Sequence, residues 1–151
     1  MSQTANPLHF EGYASVFHKP DGHGHIIKPG AYTRSIARFR ADPLSIKLLW
    51  QHNQHHPIGH ITSLEEDEYG LKMRGHISPI TRQSQDALQL VAHKCVHQLS
   101  VGFRPMRKQR IASHLHILEA DLYEISLVSI PANPWAVVYF TSNQPITKGN
   151  I

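Results

Sequence analysis

Residues 98–103 read QLSVGF and residues 122–130 read LYEISLVSI, and these two stretches decide the fold class. In the first stretch Leu99, Val101 and Phe103 alternate with smaller or polar residues, which is typical of a β-strand with one buried face. The second stretch is rich in the aliphatic residues that favour strands. The pattern therefore predicts a protein built mainly on β-strands.

The composition indicates one globular domain. The chain has 151 residues and a mass of 17.1 kDa; 40% of the residues are hydrophobic and 17% are charged, as in chains that bury a core. Cys95 is the only cysteine, which excludes an internal disulfide framework and a cysteine-based zinc finger. No apolar run reaches the roughly 18 residues that cross a membrane, and the N-terminal sequence lacks the features of a secretory signal. We expect a soluble, intracellular protein without a membrane partner.

Short strands and two helices follow one another along the chain. Residues 30–40 and 83–95 have apolar residues at helical spacing. Besides the two opening stretches, alternating or aliphatic patterns predict strands at residues 8–17, 45–52, 58–64, 71–77, 114–119 and 135–140. Such an order predicts a mostly antiparallel sheet of about seven strands, curled into a barrel, with two or more helices packed on it.

The chain divides into three parts. Residues 1–7 are polar and end in a proline, which predicts a flexible N-terminal arm. Residues 8–140 hold all the predicted elements and form the domain. Residues 141–151 are mostly polar and are predicted to be a tail.

Three polar residues stand in strands that are otherwise apolar. His52 ends the run LLWQH, where strict alternation would place it on the same face as Trp50. Ser100 lies within QLSVGF, and Glu124 lies within LYEISLV. A buried carboxylate is costly unless it is paired, so Glu124 should have a specific partner. A serine, a histidine and an acid can form an acyl-transfer site, although each residue alone could also face solvent on a half-exposed sheet.

A series of collinear segments gives the chain a family resemblance. These segments are FEGYASVF (10–17), IIKPGAYTRSI (26–36), LLWQHNQHHPIGHI (48–61), YGLKMRGHI (69–77), VHQLSVGF (96–103) and LYEISLVSIPANPWA (122–136). In this combination and order the chain resembles the prohead proteases of tailed bacteriophages. That family is similar to the herpesvirus assemblins, which are serine proteases with a distinctive barrel fold.

The resemblance implies a function and a set of partners. Members of the family cleave scaffold and capsid precursor proteins inside the immature phage shell. The expected partners are therefore phage scaffold and major capsid precursor proteins, and the expected location is the assembling prohead in the cytoplasm of the bacterial host. The related viral proteases act as dimers, so a homodimer or higher oligomer is a further expectation. The resemblance implies no cofactor.

The resemblance also implies roles for individual residues. Ser100 matches the family's nucleophile and His52 its catalytic histidine, which would act as general base. Glu124 is the choice for the third, orienting residue. The related viral proteases use a second histidine as the third residue, so other histidines remain alternatives for that role: His60, His76, His114 and His116.

Two other kinds of site compete with a protease site. The segment QHNQHHPIGH brings together four histidines, His52, His55, His56 and His60, and clustered histidines can bind a transition metal. The turn-forming Pro57 in that segment argues against a helical ligand arrangement, and we expect no metal. A basic run, Arg104, Arg107, Lys108 and Arg110, permits nucleic-acid binding. It has no interleaved aromatic residues, so a nucleic-acid partner is not expected.

Two further alternatives concern activity and the single thiol. A capsid assembly or scaffold component could retain the fold without catalysis, although all three proposed catalytic residues are present in this chain. Cys95 lies in line with the apolar face of the second predicted helix. We therefore expect it to be a buried small hydrophobic residue and not a nucleophile.

Overall fold

The structure is a computed structural model and describes residues 6–147. These residues form eight strands, two α-helices and a short 3-10 turn. The strands are β1 (Leu8–Val16), β2 (His25–Ile27), β3 (Lys47–Trp50), β4 (Asn53–Glu66), β5 (Gly70–Ile77), β6 (Gln98–Ile111), β7 (His114–Val128) and β8 (Val138–Ser142). The helices are α1 (Thr33–Ala41) and α2 (Arg82–Ala92).

All eight strands belong to one sheet, and β7 lies at its centre. The order is β2-β7-β3-β4-β5-β1-β8, and β6 pairs with β7 outside this path. β6 runs antiparallel along nearly the whole of β7, while β2 and β3 pair in parallel with its two halves. The strand is 15 residues long, which gives it room for three neighbours.

Among the described residues, five of the seven strand pairings are antiparallel, as predicted, but the predicted barrel is wrong. The sheet is mixed, because β2 and β3 run parallel to β7. It is also open, since β6 and the segment before β8 meet only in a single bridge between Gln98 and Val137. Alternation along a strand shows that it has a buried face, but it does not specify which strand lies beside it or in which direction.

Most predicted elements lie where the sequence placed them, with different ends. The hairpin of β4 and β5 is confirmed, including its acidic turn. The strands predicted at 114–119 and 122–130 are one continuous strand, β7, and the strand predicted at 98–103 continues to Ile111. The pairing of β6 with β7 continues through the irregular stretch at residues 102–108, where the register shifts three times. The short strand β2 was not predicted, because only four residues separate the turn formers Gly24 and Pro29.

The helices are held by local signals and by their apolar faces. Thr81 and Ser84 form a reciprocal capping box at the start of α2, and Ala87 and Val91 are buried beneath it. α2 ends at Ala92, and Cys95 beyond it is exposed. The prediction that Cys95 is buried is wrong, because the chain leaves the helix before the apolar face reaches that position.

The core contains one buried carboxylate that is paired with cations. Glu11 on β1 is fully buried. Its carboxylate accepts a hydrogen bond from the Tyr139 hydroxyl and contacts Lys72 Nζ at 3.0 Å and Arg74 Nε at 2.8 Å. Burial raises the pKa of Glu11, but the hydrogen bonds from these three groups outweigh burial and leave the pKa below its ordinary value. The charged form therefore stabilises the fold at neutral pH.

Replacing this carboxylate tests its contribution to stability. Glu11→Gln leaves two cations next to a neutral group, and we expect a loss of about 3–5 kcal/mol in the free energy of unfolding at pH 7. Because the pKa of Glu11 is lowered from 4.5, the difference between variant and wild type should shrink as the pH falls from 4.5 through the folded-state pKa. Urea unfolding across this range measures both effects. Glu68→Gln, at an exposed position, is the matched control, and an equal loss there would contradict the assignment.

Candidate active site

The pairing of β6 with β7 brings polar side chains together on one face of the sheet. Ser100 pairs with Ser126, and Gly102 pairs with Glu124. Residues two apart on a strand share a face, so these four positions form one patch. Ser100 is 4% exposed, Glu124 is 5% exposed and Ser126 is fully buried.

His52 reaches this patch through a tight turn between β3 and β4. β3 ends at Trp50, and both Gln51 and His52 have left-handed backbone conformations, with φ of 54° and 59°. The expectation that His52 continues the alternation of β3 is therefore wrong, because the turn redirects its side chain. A pair of hydrogen bonds between the Gln51 amide and Ser129 holds the turn: Gln51 Nε2 donates to Ser129 Oγ, and Ser129 N–H donates to Gln51 Oε1.

The turn places the His52 ring against the Glu124 carboxylate. His52 Nδ1 lies 2.5 Å from Glu124 Oε1. The hydrogen bond with Glu124 raises the pKa of His52 above its ordinary value, against the opposing effect of burial. The carboxylate is thus the specific partner of the imidazole, and the second ring nitrogen, Nε2, is left for another group.

The glycine at position 102 makes room for that carboxylate. A Cβ atom on Gly102 would lie 2.4 Å from Glu124 Oε1 and 2.8 Å from both Cδ and Cγ of the same side chain. These distances are too short for any side chain. The absence of a side chain at this position is therefore a condition for the contact between His52 and Glu124.

Ser100 and His52 line the same cleft, which has a volume of about 510 Å³. Its walls combine apolar and polar side chains, among them Ile27, Phe103, Tyr123, Pro131, Asp21 and His25. A second, more open cleft of about 950 Å³ lies beside His52 and Glu124 and includes Lys47 and His55. His52 therefore lines both clefts, whereas Ser100 lines only the first and Glu124 only the second.

The four histidines that were alternatives for the third role, His60, His76, His114 and His116, lie outside this cleft. His60 and His76 lie on the neighbouring strands β4 and β5. The ring centroid of His76 is 5.6 Å from that of His60 and 5.3 Å from that of His9. None of the four alternative histidines lines the cleft that Ser100 and His52 share, and the histidine bonded to Glu124 is His52. Within residues 6–147, no group of three or more His, Cys, Asp or Glu side chains is placed to hold a metal ion.

Two residues of the patch were missed by sequence reasoning, Gly102 and Ser126. The signal for Ser126 was present: it stands two residues after Glu124 and therefore shares its face. The signal for Gly102 was its spacing of two from Ser100. Neither signal indicates a role until the register of the two strands is known.

Comparison with known proteins identifies the family. Residues 1–148 match the family described as caudovirus prohead serine protease. The chain belongs to this family. Among curated members, the prohead protease of Enterobacteria phage HK97 is 34% identical over 135 residues, which are 84% of this chain and 57% of that protein. The prohead protease of Escherichia phage T5 is 28% identical over 127 residues, 81% of this chain and 57% of that protein.

The chain thus spans just over half of the length of these relatives, and it also matches part of a larger protein. A capsid polyprotein of Pseudomonas phage PAJU2 is 28% identical over 127 residues, which are 79% of this chain and 18% of the polyprotein. Among solved structures, KSHV protease aligns with a TM-score of 0.62 at 13% identity, over 90% of this chain and 65% of that one. Varicella-zoster virus protease aligns with a TM-score of 0.52 at 18% identity, over 87% and 63%. These likenesses establish a shared fold.

Adding one methyl group at position 102 tests the geometry of the site. We expect Gly102→Ala to displace the Glu124 carboxylate and to return the pKa of His52 toward its ordinary value, since Glu124 is what raises it. NMR titration of the His52 ring, assigned by comparison with His52→Gln, measures this pKa. Gly22→Ala is the control, because its added Cβ would meet only the Ala132 carbonyl oxygen at 3.5 Å. An unchanged His52 pKa in Gly102→Ala would contradict the contact.

Proposed function

We propose that this chain is a serine endopeptidase that cleaves scaffold and capsid precursor proteins during prohead maturation, with Ser100 as nucleophile, His52 as general base and Glu124 as orienting acid. The observation that carries the proposal is the bond between His52 and Glu124 in a cleft that Ser100 also lines. An imidazole oriented by a carboxylate near a serine hydroxyl is the arrangement that acyl transfer requires.

The chemistry begins with neutral His52. Ser100 Oγ attacks the carbonyl carbon of the scissile peptide bond, and its proton passes to His52 Nε2. The carbon–nitrogen bond then breaks as the imidazolium returns the proton to the departing amine. Water repeats the sequence on the acyl-enzyme and releases Ser100. Glu124 keeps the proton of the neutral ring on Nδ1 and stabilises the imidazolium that forms in each half of the reaction.

The family supports the proposed substrates and their location. Curated relatives carry the names prohead protease and capsid polyprotein, which supports scaffold and capsid precursors as substrates. The place of action would be the assembling capsid in the cytoplasm of the host cell. None of the helices in residues 6–147 has the length and apolar character needed to cross a membrane. The partly apolar walls of the cleft, with Phe103 and Tyr123, suit side chains of a bound polypeptide.

Removal of the Ser100 hydroxyl tests the nucleophile. We expect Ser100→Ala to lose about a millionfold of the peptidase rate and to lose covalent labelling by a fluorophosphonate, which an activated serine attacks at phosphorus with loss of fluoride. Mass spectrometry of the labelled wild type should locate the adduct at Ser100. The control is Ser113→Ala, at an exposed turn, which should label normally. Cleavage of capsid precursor by folded Ser100→Ala protein would exclude this mechanism.

The raised pKa of His52 sets the pH dependence. Only the neutral ring can accept the serine proton, so the rate should fall as the pH drops through the pKa of His52, above the ordinary value of 6.5. Glu124→Gln removes the cause of the shift, and the acid limb of the profile should move to lower pH while the rate falls about 10⁴-fold. The measurement is the rate of fluorophosphonate labelling from pH 5 to 9. Wild-type rates in Glu124→Gln would move the third role to another residue.

A further inference from the structure

Ser126 stands between the two groups whose contact the proposed mechanism needs. Its hydroxyl oxygen accepts a hydrogen bond from the backbone N–H of His52 at 3.0 Å. The same hydroxyl donates its proton to Glu124 Oε2 at 2.8 Å, while Glu124 Oε1 meets the His52 ring. One buried hydroxyl therefore touches the backbone of the base and the side chain of the acid.

We propose that Ser126 is a positioning residue, which locks the backbone of His52 and the carboxylate of Glu124 together beside Ser100. The proposal rests on the proposed function, because it assigns Ser126 a part in the same reaction. Ser126 acts through His52 and Glu124.

The local backbone explains why such a lock is needed. His52 and Gln51 both occupy the left-handed region, which is unfavourable for residues with a side chain. Two sets of hydrogen bonds oppose relaxation of this turn. The Gln51–Ser129 pair holds its first residue, and Ser126 holds its second. Without Ser126, the N–H of His52 loses its partner and the ring can move away from Glu124.

The carboxylate needs a second anchor for a related reason. Gly102 provides the space that the Glu124 carboxylate occupies, but it has no side chain that could hold the carboxylate by a hydrogen bond. The hydroxyl of Ser126 supplies that constraint through Oε2. A carboxylate fixed at one oxygen presents the other to His52 Nδ1 in a single direction, which is the geometry that a general base requires.

Ser126 is distinguished from an ordinary buried serine by comparison within the same chain. Ser35 on α1 is 1% exposed, and its hydroxyl also has two partners: it donates to the Ala120 carbonyl oxygen and accepts from the Leu122 N–H. Both of these partners are backbone groups of β7, outside the cleft. Ser35→Ala is therefore a matched control that removes an equivalent buried hydroxyl without touching His52 or Glu124.

The test compares Ser126→Ala with Ser35→Ala and with Ser126→Thr, which retains the hydroxyl. We expect Ser126→Ala to slow fluorophosphonate labelling of Ser100 by about ten- to a hundredfold. In Ser126→Ala, the acid limb of the pH profile of labelling should also shift toward lower pH, because a Glu124 carboxylate that is no longer fixed stabilises the His52 imidazolium less. Ser35→Ala should lower the melting temperature and leave the labelling rate and its pH profile unchanged. Ser126→Thr should recover most of the rate.

A second readout keeps this proposal separate from the proposed function. NMR titration of His52, in wild type and Ser126→Ala, reports the pKa of the ring whether or not the protein is a peptidase. The other titratable groups that line the two clefts are Asp21, His23, His25, Lys47, His55 and Tyr123. A fall in the pKa of His52 supports the lock. An unchanged pKa, or equal rate losses in Ser126→Ala and Ser35→Ala, would overturn it. A protein that fails to label at all but shows the pKa change would refute the peptidase assignment alone.

Discussion

The structure depends on the pairing of β7 with three other strands. A strand in the middle of a sheet must find hydrogen-bond partners for its backbone on both edges. β7 does so with β6 along one edge and with β2 and β3 in succession along the other. This arrangement makes the sheet mixed, because β2 and β3 run parallel to β7 and β6 runs antiparallel to it. It also brings every element of the site to one place, because Glu124 and Ser126 are on β7, Ser100 is on β6, and His52 follows β3.

The two buried carboxylates, Glu11 and Glu124, have different partners, and the partners determine whether each carboxylate stabilises the fold or belongs to the candidate site. Glu11 lies between two cations and a tyrosine hydroxyl, which hold it charged over the ordinary pH range and leave it no proton to exchange. Glu124 has a histidine and a serine as partners. An imidazole changes its charge near neutral pH, so in the proposed mechanism the pair of His52 and Glu124 accepts the proton of Ser100. Both carboxylates meet the requirement that a buried charge be paired, and only Glu124 has an imidazole as its partner.

The site is assembled from backbone features as much as from side chains. Gly102 provides the space that the Glu124 carboxylate occupies. The left-handed turn at Gln51 and His52 redirects the ring toward β7, and Ser126 and Ser129 hold that turn. Strained conformations persist where the surroundings compensate them. The hydrogen bonds around this turn supply the compensation, and the proposed mechanism depends on them.

The sequence by itself determined that the protein is built mainly of strands, the approximate place of nearly every element, and the three residues His52, Ser100 and Glu124 as candidates. It did so because alternation and polar residues in apolar strands are local signals. The predictions of a closed barrel, of two strands in place of β7, of an alternating His52 and of a buried Cys95 were wrong. Each of these depended on strand neighbours, strand ends or turn geometry. Only the tertiary structure decided that Glu124 meets His52 and that Ser126 joins them, because cross-strand register is set by contacts between residues far apart in the chain.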